Sequence, residues 1–309
     1  MRQKEKELPE FDGEVLDKKP TLGNLLLKFI FPNFHLVDCR GRKDNFLYAR
    51  FYDNHKLWRA IEYCLKFKSK IKTPVTSRSV ASGLEMIDGN IPTSYLPMKV
   101  KMFLDYYMPN GGNYFDFSCG FGGRLLGAMT TTKGNINYYG IEPCSETFYH
   151  LNKLKNYIEE ALNLNENRIH LYKQGSEEKV PNELEGKMDF AFSCPPYFNL
   201  EQYSDEESQC YIKYPTLEAW LENYVKGTIK NLYKVLKPNA YYAVQISDFK
   251  RNDQNVEFVK EWRKLSEENG FKLEKIILTK TGKARPTSNK NTQNIYFSKD
   301  EYIYLFKKI

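Results

Sequence analysis

Apolar positions along the chain follow two regimes that change near residue 97. Between 53 and 68, Leu57, Ile61, Cys64 and Leu65 recur at helical spacing with Lys and Arg between them, which predicts one basic amphipathic helix. Beyond Pro97 short apolar runs alternate with helical patterns: strands at 113–117, 136–141, 168–172, 188–193 and 240–246, and helices at 98–107, 123–129, 144–162, 217–236 and 256–269. Two further strands, 271–279 and 302–306, are joined by an excursion instead of a helix. Such alternation predicts an α/β fold: a doubly wound, mostly parallel, seven-stranded sheet covered by helices on both faces, with the closing pair as its antiparallel edge.

Residues 1–20 alternate Lys and Glu around Pro9 and Pro20, so they read as a flexible arm with little buried. Residues 21–91 form an N-terminal, helical, basic extension, and the stretch 72–97 that spans its end is rich in Thr, Ser, Gly and Pro and marks a linker or an ordered loop. The α/β domain occupies 92–309, and the 309-residue length suits one such domain with an extension.

Charge refines this picture only locally. The formal net charge is +7, but between Arg40 and Arg78 eleven Lys or Arg face three acids, interleaved with Phe46, Tyr48, Phe51, Tyr52 and Trp58. Cations and aromatic rings in that mixture suit phosphate contacts and base stacking, with Arg40, Arg42 and Arg50 as candidates; the same mixture also fits the solvated face of a helix. A second candidate is 280–298, where Lys280, Lys283, Arg285 and Lys290 occur without an acid and with Asn and Gln able to read base edges. An unusually long edge loop would look the same. The six cysteines form no CxxC pair or His–Cys cluster, so no structural metal is expected. No signal-peptide pattern opens the chain, and the apolar run 25–31 is interrupted by Lys28 and too short to span a bilayer. These features lead us to expect a cytoplasmic protein, of a bacterium or a phage-infected host, with no membrane partner.

Candidate chemistry sits in a pair of segments about seventy residues apart. In the first, Asp116 and Phe117 end a strand, and Ser118, Gly120, Gly122 and Gly123 lead into a helix, a turn at which a ligand can approach the backbone. In a dinucleotide site the helix N-terminus would bind pyrophosphate; Asp116 would repel pyrophosphate and instead suits a cationic amino or sulfonium group. Glu142, followed by Pro143, ends the next strand, where an acid can accept hydrogen bonds from both ribose hydroxyls. Gly175 and Ser176 follow the third strand and could border an adenine ring. In the second segment, Cys194, Pro195, Pro196 and Tyr197 cap an apolar strand at the edge where open α/β sheets bind ligands. The prolines remove N–H donors and leave a carbonyl free for a substrate amine, and Tyr197 offers a face for a flipped base. The acidic stretch 201–214 that follows reads as a mobile lid.

From about Pro92 onward the chain resembles the class I S-adenosylmethionine-dependent methyltransferases, and more narrowly the phage-type DNA amino-methyltransferases that modify the exocyclic amine of adenine or cytosine. The segment from Asp116 to Gly123, continuing as Arg124-Leu125-Leu126, resembles their cofactor motif, and Glu142 their ribose-binding acid. Ser94, Tyr95, Leu96 and Pro97 resemble the stretch that covers the methionine moiety, and Cys194 to Tyr197 their catalytic motif. The resemblance implies S-adenosyl-L-methionine as cofactor and DNA as partner, with an RNA base, or a catalytically weakened nucleic-acid-binding subunit, as alternatives. One position departs from the pattern: relatives carry Asp, Asn or Ser where this chain has Cys194, and a thiol is a weak acceptor.

Overall fold

The computed structural model describes residues 11–16, 22–39, 47–70, 74–87, 94–164, 167–251, 254–279 and 301–309. In chain order they begin with β1 (Val15–Leu16), α1 (Asn24–Ile30), β2 (Asp38–Cys39), α2 (Leu47–Tyr52), α3 (Asn54–Lys70), α4 (Ser77–Ile87) and α5 (Pro97–Tyr107). The alternating part follows: β3 (Gly112–Asp116), α6 (Gly123–Met129), β4 (Ile136–Ile141), α7 (Ser145–Ala161), β5 (Ile169–Tyr172), β6 (Met188–Ser193) and β7 (Glu201–Gln202). Then come α8 (Cys210–Lys213), α9 (Leu217–Ala219), α10 (Lys226–Val235), β8 (Leu236–Ile246), β9 (Phe249–Arg251) and β10 (Gln254–Val256). The last elements are α11 (Phe258–Glu268), β11 (Phe271–Thr279) and β12 (Glu301–Lys308).

One sheet runs in the order β1-β11-β12-β8-β6-β3-β4-β5. From β3 the chain winds outward through β4 and β5 on one side and through β6 and β8 on the other, all in parallel. The switch of direction at β3 opens a crevice at the carboxyl ends of the strands, where such sheets place ligands. Only β12 runs against its neighbours, inserted between β8 and β11, so the closing pair gives the sheet its antiparallel end. Strand alternation sorts the core into two layers. Tyr114, Tyr138, Phe190 and Phe192 face α5, α6 and α7; Phe115, Phe117, Ala191 and Tyr242 face Trp220, Ile229 and Trp262. On α7 the apolar stripe Leu151, Leu154 and Ile158 is fully buried, each side chain contributing roughly 1.5–3 kcal/mol.

Several expectations shift. Within the stretch read as a flexible arm, β1 adds an eighth strand beside β11, and Phe11 is buried against Phe103, Tyr106 and Tyr107. Isolated apolar residues among charges carry no periodic signal, so this docking was invisible. The supposed linker contains α4, which packs so closely on α3 that a Cβ at Gly83 would stand 2.9 Å from the Ala60 carbonyl oxygen. The helix expected over 217–236 passes through a π turn at Trp220–Val225 and stops at Val235, Leu236 already pairing in β8. No helix among the described residues is long and apolar enough to cross a membrane.

Candidate active site

β3 and β6 lie side by side, with Phe115 opposite Ala191, so the glycine turn and the Cys-Pro-Pro-Tyr turn emerge together at one sheet edge. At their junction sits a buried polar knot. Asp116, with no exposed surface, accepts hydrogen bonds from Arg124 Nε on both oxygens at 3.0 Å, from Tyr138 Oη at 2.7 Å and from Ser193 Oγ at 2.8 Å. Burial opposes the charge of Arg124, but Asp116 together with Tyr114, Cys194 and Tyr138 outweighs it and holds the guanidinium above its ordinary pKa. This corrects the role expected of Asp116: its carboxylate is consumed by protein donors and does not face a sulfonium or amine. Ser193, the last residue of β6 and still paired with Val244, reaches across with its short hydroxyl to Asp116 on β3.

The three glycines divide by what surrounds them. A Cβ at Gly123 would lie 2.0 Å from the Tyr95 carbonyl oxygen, and one at Gly122 would lie 2.4 Å from Leu154, so these two serve packing. Gly120, at φ +52°, faces open space, with nothing within 4 Å of such a Cβ. Its N–H donates to Glu142 at 2.9 Å, and the other Glu142 oxygen accepts from Cys144 N–H at 3.0 Å. Burial pushes the Glu142 carboxyl up to about 7, against the pull of these two N–H donors. The cradle between Gly120 and Glu142 is therefore open to a ligand, and Pro143 borders it half-buried.

Other expected cofactor residues are placed nearby with different duties. Phe117 points into the core, stacked on Trp262 at 6.5 Å, so only its backbone belongs to the turn. The Ser118 and Ser176 hydroxyls both bear on the buried Tyr224, which lies between the turn after β3 and the loop after β5. Ser176 Oγ also pairs with Thr228 at 2.8 Å, and Gly175 is buried beside it. Tyr95 lies edge-on to Phe192 at 5.5 Å, has Arg124 against its ring, and donates to Gln245 Oε1 at 2.6 Å. Pro97 opens α5 and is buried against α6, its carbonyl 2.4 Å from where a Cβ of Gly127 would stand.

The catalytic turn is held by aromatic packing. Tyr197 is half-buried, edge-on to Phe249 at 5.9 Å and to Phe258 at 5.8 Å, so its ring is fixed. Phe198 adopts φ +51°, unusual for a bulky residue, and is locked in the core against Trp220. Pro195 is buried and Pro196 half-buried. Burial pushes the half-exposed Cys194 thiol up to about 12, Arg124 pulling the other way, so the group stays protonated at neutral pH.

Sequence reasoning missed the walls of the site. Phe121, between the glycines, is gripped by Phe31, Phe34 and Tyr203 at 5.8, 4.9 and 6.1 Å. The N-terminal extension thus roofs the glycine turn. The acidic segment expected to be a mobile lid is pinned: β7 pairs with β2, and Glu206 accepts from Ser145 N–H at the start of α7 at 3.0 Å. Arg124 carried the one readable signal, a lone charge in the apolar helix start Gly-Arg-Leu-Leu-Gly. Of the nucleic-acid candidates, Lys280, Lys283, Arg285, Lys290, Arg40 and Arg42 lie outside the described residues. Arg50 is corrected: it is buried and donates to the Leu84 carbonyl at 3.2 Å, fastening α2 to α4 instead of facing solvent. Among the described residues no group of His, Cys, Asp and Glu is arranged to hold a metal ion.

The sequence matches no family model and no curated protein. Solved structures overlap it distantly. TrmN from Thermus thermophilus is 12% identical over 70% of this chain and 50% of its own, at a TM-score of 0.42; this chain thus spans half of that protein's length. TYW2 from M. jannaschii, solved with AdoMet, is 13% identical over 72% and 80%, at a TM-score of 0.41. The geranyl diphosphate C-methyltransferase from Streptomyces coelicolor A3(2), solved with S-adenosyl-L-homocysteine, is 11% identical over 72% and 86%, at 0.43. The strand order described above stands independently of these likenesses.

Proposed function

We propose that this chain transfers a methyl group from S-adenosyl-L-methionine to the exocyclic amine of adenine or cytosine in DNA. The observation that carries the reading is the adjacency of the two turns: an open glycine cradle with an acid beside it, tied through Ser193 and Asp116 to a Cys-Pro-Pro-Tyr turn. The residues fit the cofactor. Glu142 keeps lone pairs on both oxygens for ribose hydroxyls, Gly120 admits the ligand to the backbone, and Ser176 and Gly175 border the adenine side. Bound there, the cofactor supplies a methyl group already activated by its sulfonium.

The chain's own part is positioning. A base swung out of the duplex stacks on the fixed ring of Tyr197, and its amine donates to the Pro195 carbonyl, which orients the nitrogen lone pair. With the methyl donor held in the cradle, the Pro195 carbonyl and the Tyr197 ring would aim the amine nitrogen at it, and the proton the amine gives up would pass to solvent. Cys194, protonated, takes no nucleophilic part. Labelled cofactor offered in parallel to duplex DNA and to RNA tests the reading: label in the amino bases of DNA supports it, while transfer confined to RNA, or none at all, refutes it. Replacing Pro196 or Tyr197 by Ala should lower turnover and leave calorimetric cofactor affinity within about twofold.

A further inference from the structure

Cys194 leaves the catalytic turn without the side-chain oxygen that an amine needs as acceptor. Asp116, Glu201 and Glu301 are the carboxylates whose charge bears on Cys194. Asp116 is saturated by Arg124, Tyr138 and Ser193. Glu301 opens β12 and accepts from Gln245 Nε2 at 2.7 Å, the far end of the chain Tyr95–Gln245–Glu301 that braces the sheet edge. Glu201 differs from both. It lies on the same excursion as the turn, four residues beyond Tyr197, where β7 pairs Glu201 with Cys39 and so fixes its backbone. Its Oε2 accepts from the Tyr203 hydroxyl, and Tyr203 in turn packs on Phe121 of the glycine turn. Its Oε1 takes no hydrogen bond from any described residue. Glu201 is thus the carboxylate that shares the catalytic turn's own segment and, through Tyr203, the aromatic wall of the glycine turn.

Resting on the proposed function, we propose that Glu201 reads the amidine edge of the target base, accepting a hydrogen bond from the exocyclic amine and donating one to the adjacent ring nitrogen. It thereby supplies the acceptor that Cys194 lacks. On their Watson–Crick edges adenine and cytosine both present an amino group beside a ring-nitrogen acceptor, whereas guanine and thymine present a ring N–H on that edge and are refused. Donation requires a neutral carboxyl. Burial pushes the Glu201 carboxyl up toward that form, and the bond from Tyr203 only partly offsets it.

The test uses the purified full chain, labelled S-adenosylmethionine, and duplex oligonucleotides carrying a sequence the wild type methylates. In matched duplexes the target base is replaced by its 1-deazaadenine or 3-deazacytosine counterpart, which keeps the amine and lacks the ring nitrogen. Glu201→Ala should lower transfer about 100-fold, with calorimetric cofactor affinity unchanged as evidence of an intact fold. Glu201→Gln, whose amide copies the donor and acceptor of a neutral carboxyl, should remain within about tenfold of wild type. The deaza base should cost the wild type about tenfold, less than Glu201→Ala because it removes only the ring-nitrogen bond, and should cost that variant almost nothing more, since the variant has already lost that bond. Activity of Glu201→Ala within threefold of wild type, or an equal deaza penalty in both proteins, overturns the assignment. A wild type that binds cofactor yet methylates no nucleic acid refutes the proposed function itself, and the Glu201 assignment with it.

Discussion

At the end of β3 the chain leaves the sheet through glycines and bare backbone; at the end of β6 it leaves through two prolines, a fixed tyrosine and a phenylalanine in the left-handed region. The first turn works by omission. Gly120 faces empty space, while Gly122 and Gly123 let α7 and the Tyr95 segment close in from behind. The second works by accretion, its geometry imposed by Phe249, Phe258 and Trp220 and its polar surroundings by residues of β7, β8 and β12. The Asp116–Arg124–Ser193 knot is where the two meet, so a change there should be felt on both sides.

The largest effect is expected from breaking that knot on one side only. Arg124→Met leaves the Asp116 charge buried and unpaired and should destabilise the protein by about 3–5 kcal/mol in urea unfolding, whereas Arg124→Met with Asp116→Asn should recover much of the loss. A loss below about 1 kcal/mol for the single variant would show that Asp116 is solvated. Next comes the glycine contrast. Gly123→Ala drives a methyl into the Tyr95 carbonyl, which cannot yield cheaply, and should cost about 2–3 kcal/mol of stability. Gly120→Ala meets no atom and should cost only about 1 kcal/mol for its left-handed backbone, yet weaken cofactor binding more than Gly123→Ala weakens it per folded molecule.

A pH series sharpens the comparison further, because Glu142 belongs to the open cradle. Its carboxyl is raised by burial from 4.5 to about 7, so the stability it contributes is present below 4.5 and is lost as pH rises through 7. Cofactor affinity should move the other way, rising by up to about tenfold per pH unit toward pH 7 and then levelling, since ribose hydroxyls donate best to the ionised form. Calorimetry at several pH values, with Glu142→Gln as the flat control, reads this directly. The smallest effect is Ser193→Ala, which removes one of the donors to Asp116: about 1 kcal/mol in stability, with kcat falling several-fold at unchanged cofactor affinity. A matching loss of affinity would mean that Ser193 serves the cradle and not the catalytic turn.

The sequence by itself determined the alternation of elements after residue 97, the pairing of an open turn with an acid one strand away, and the position of the proline turn. Each of these depends on local spacing, and local spacing survives in a one-dimensional string: Gly120 and Glu142 are legible because a strand end and a glycine turn are built from neighbours in sequence. The arm around Phe11, the aromatic grip on Phe121, the short β2–β7 ladder and the burial of Arg50 were not legible, since each joins segments tens to hundreds of residues apart with no periodic signature. Composition also misassigned Asp116. From the string it is a free acid before a ligand turn; only folding brings Arg124 round one helical turn, Tyr138 from β4 and Ser193 from β6 to consume it. Which glycine faces a ligand, which carboxyl stays open beside the catalytic turn and which charge is spent inside the protein are decided by what packs against them, and packing exists only in three dimensions.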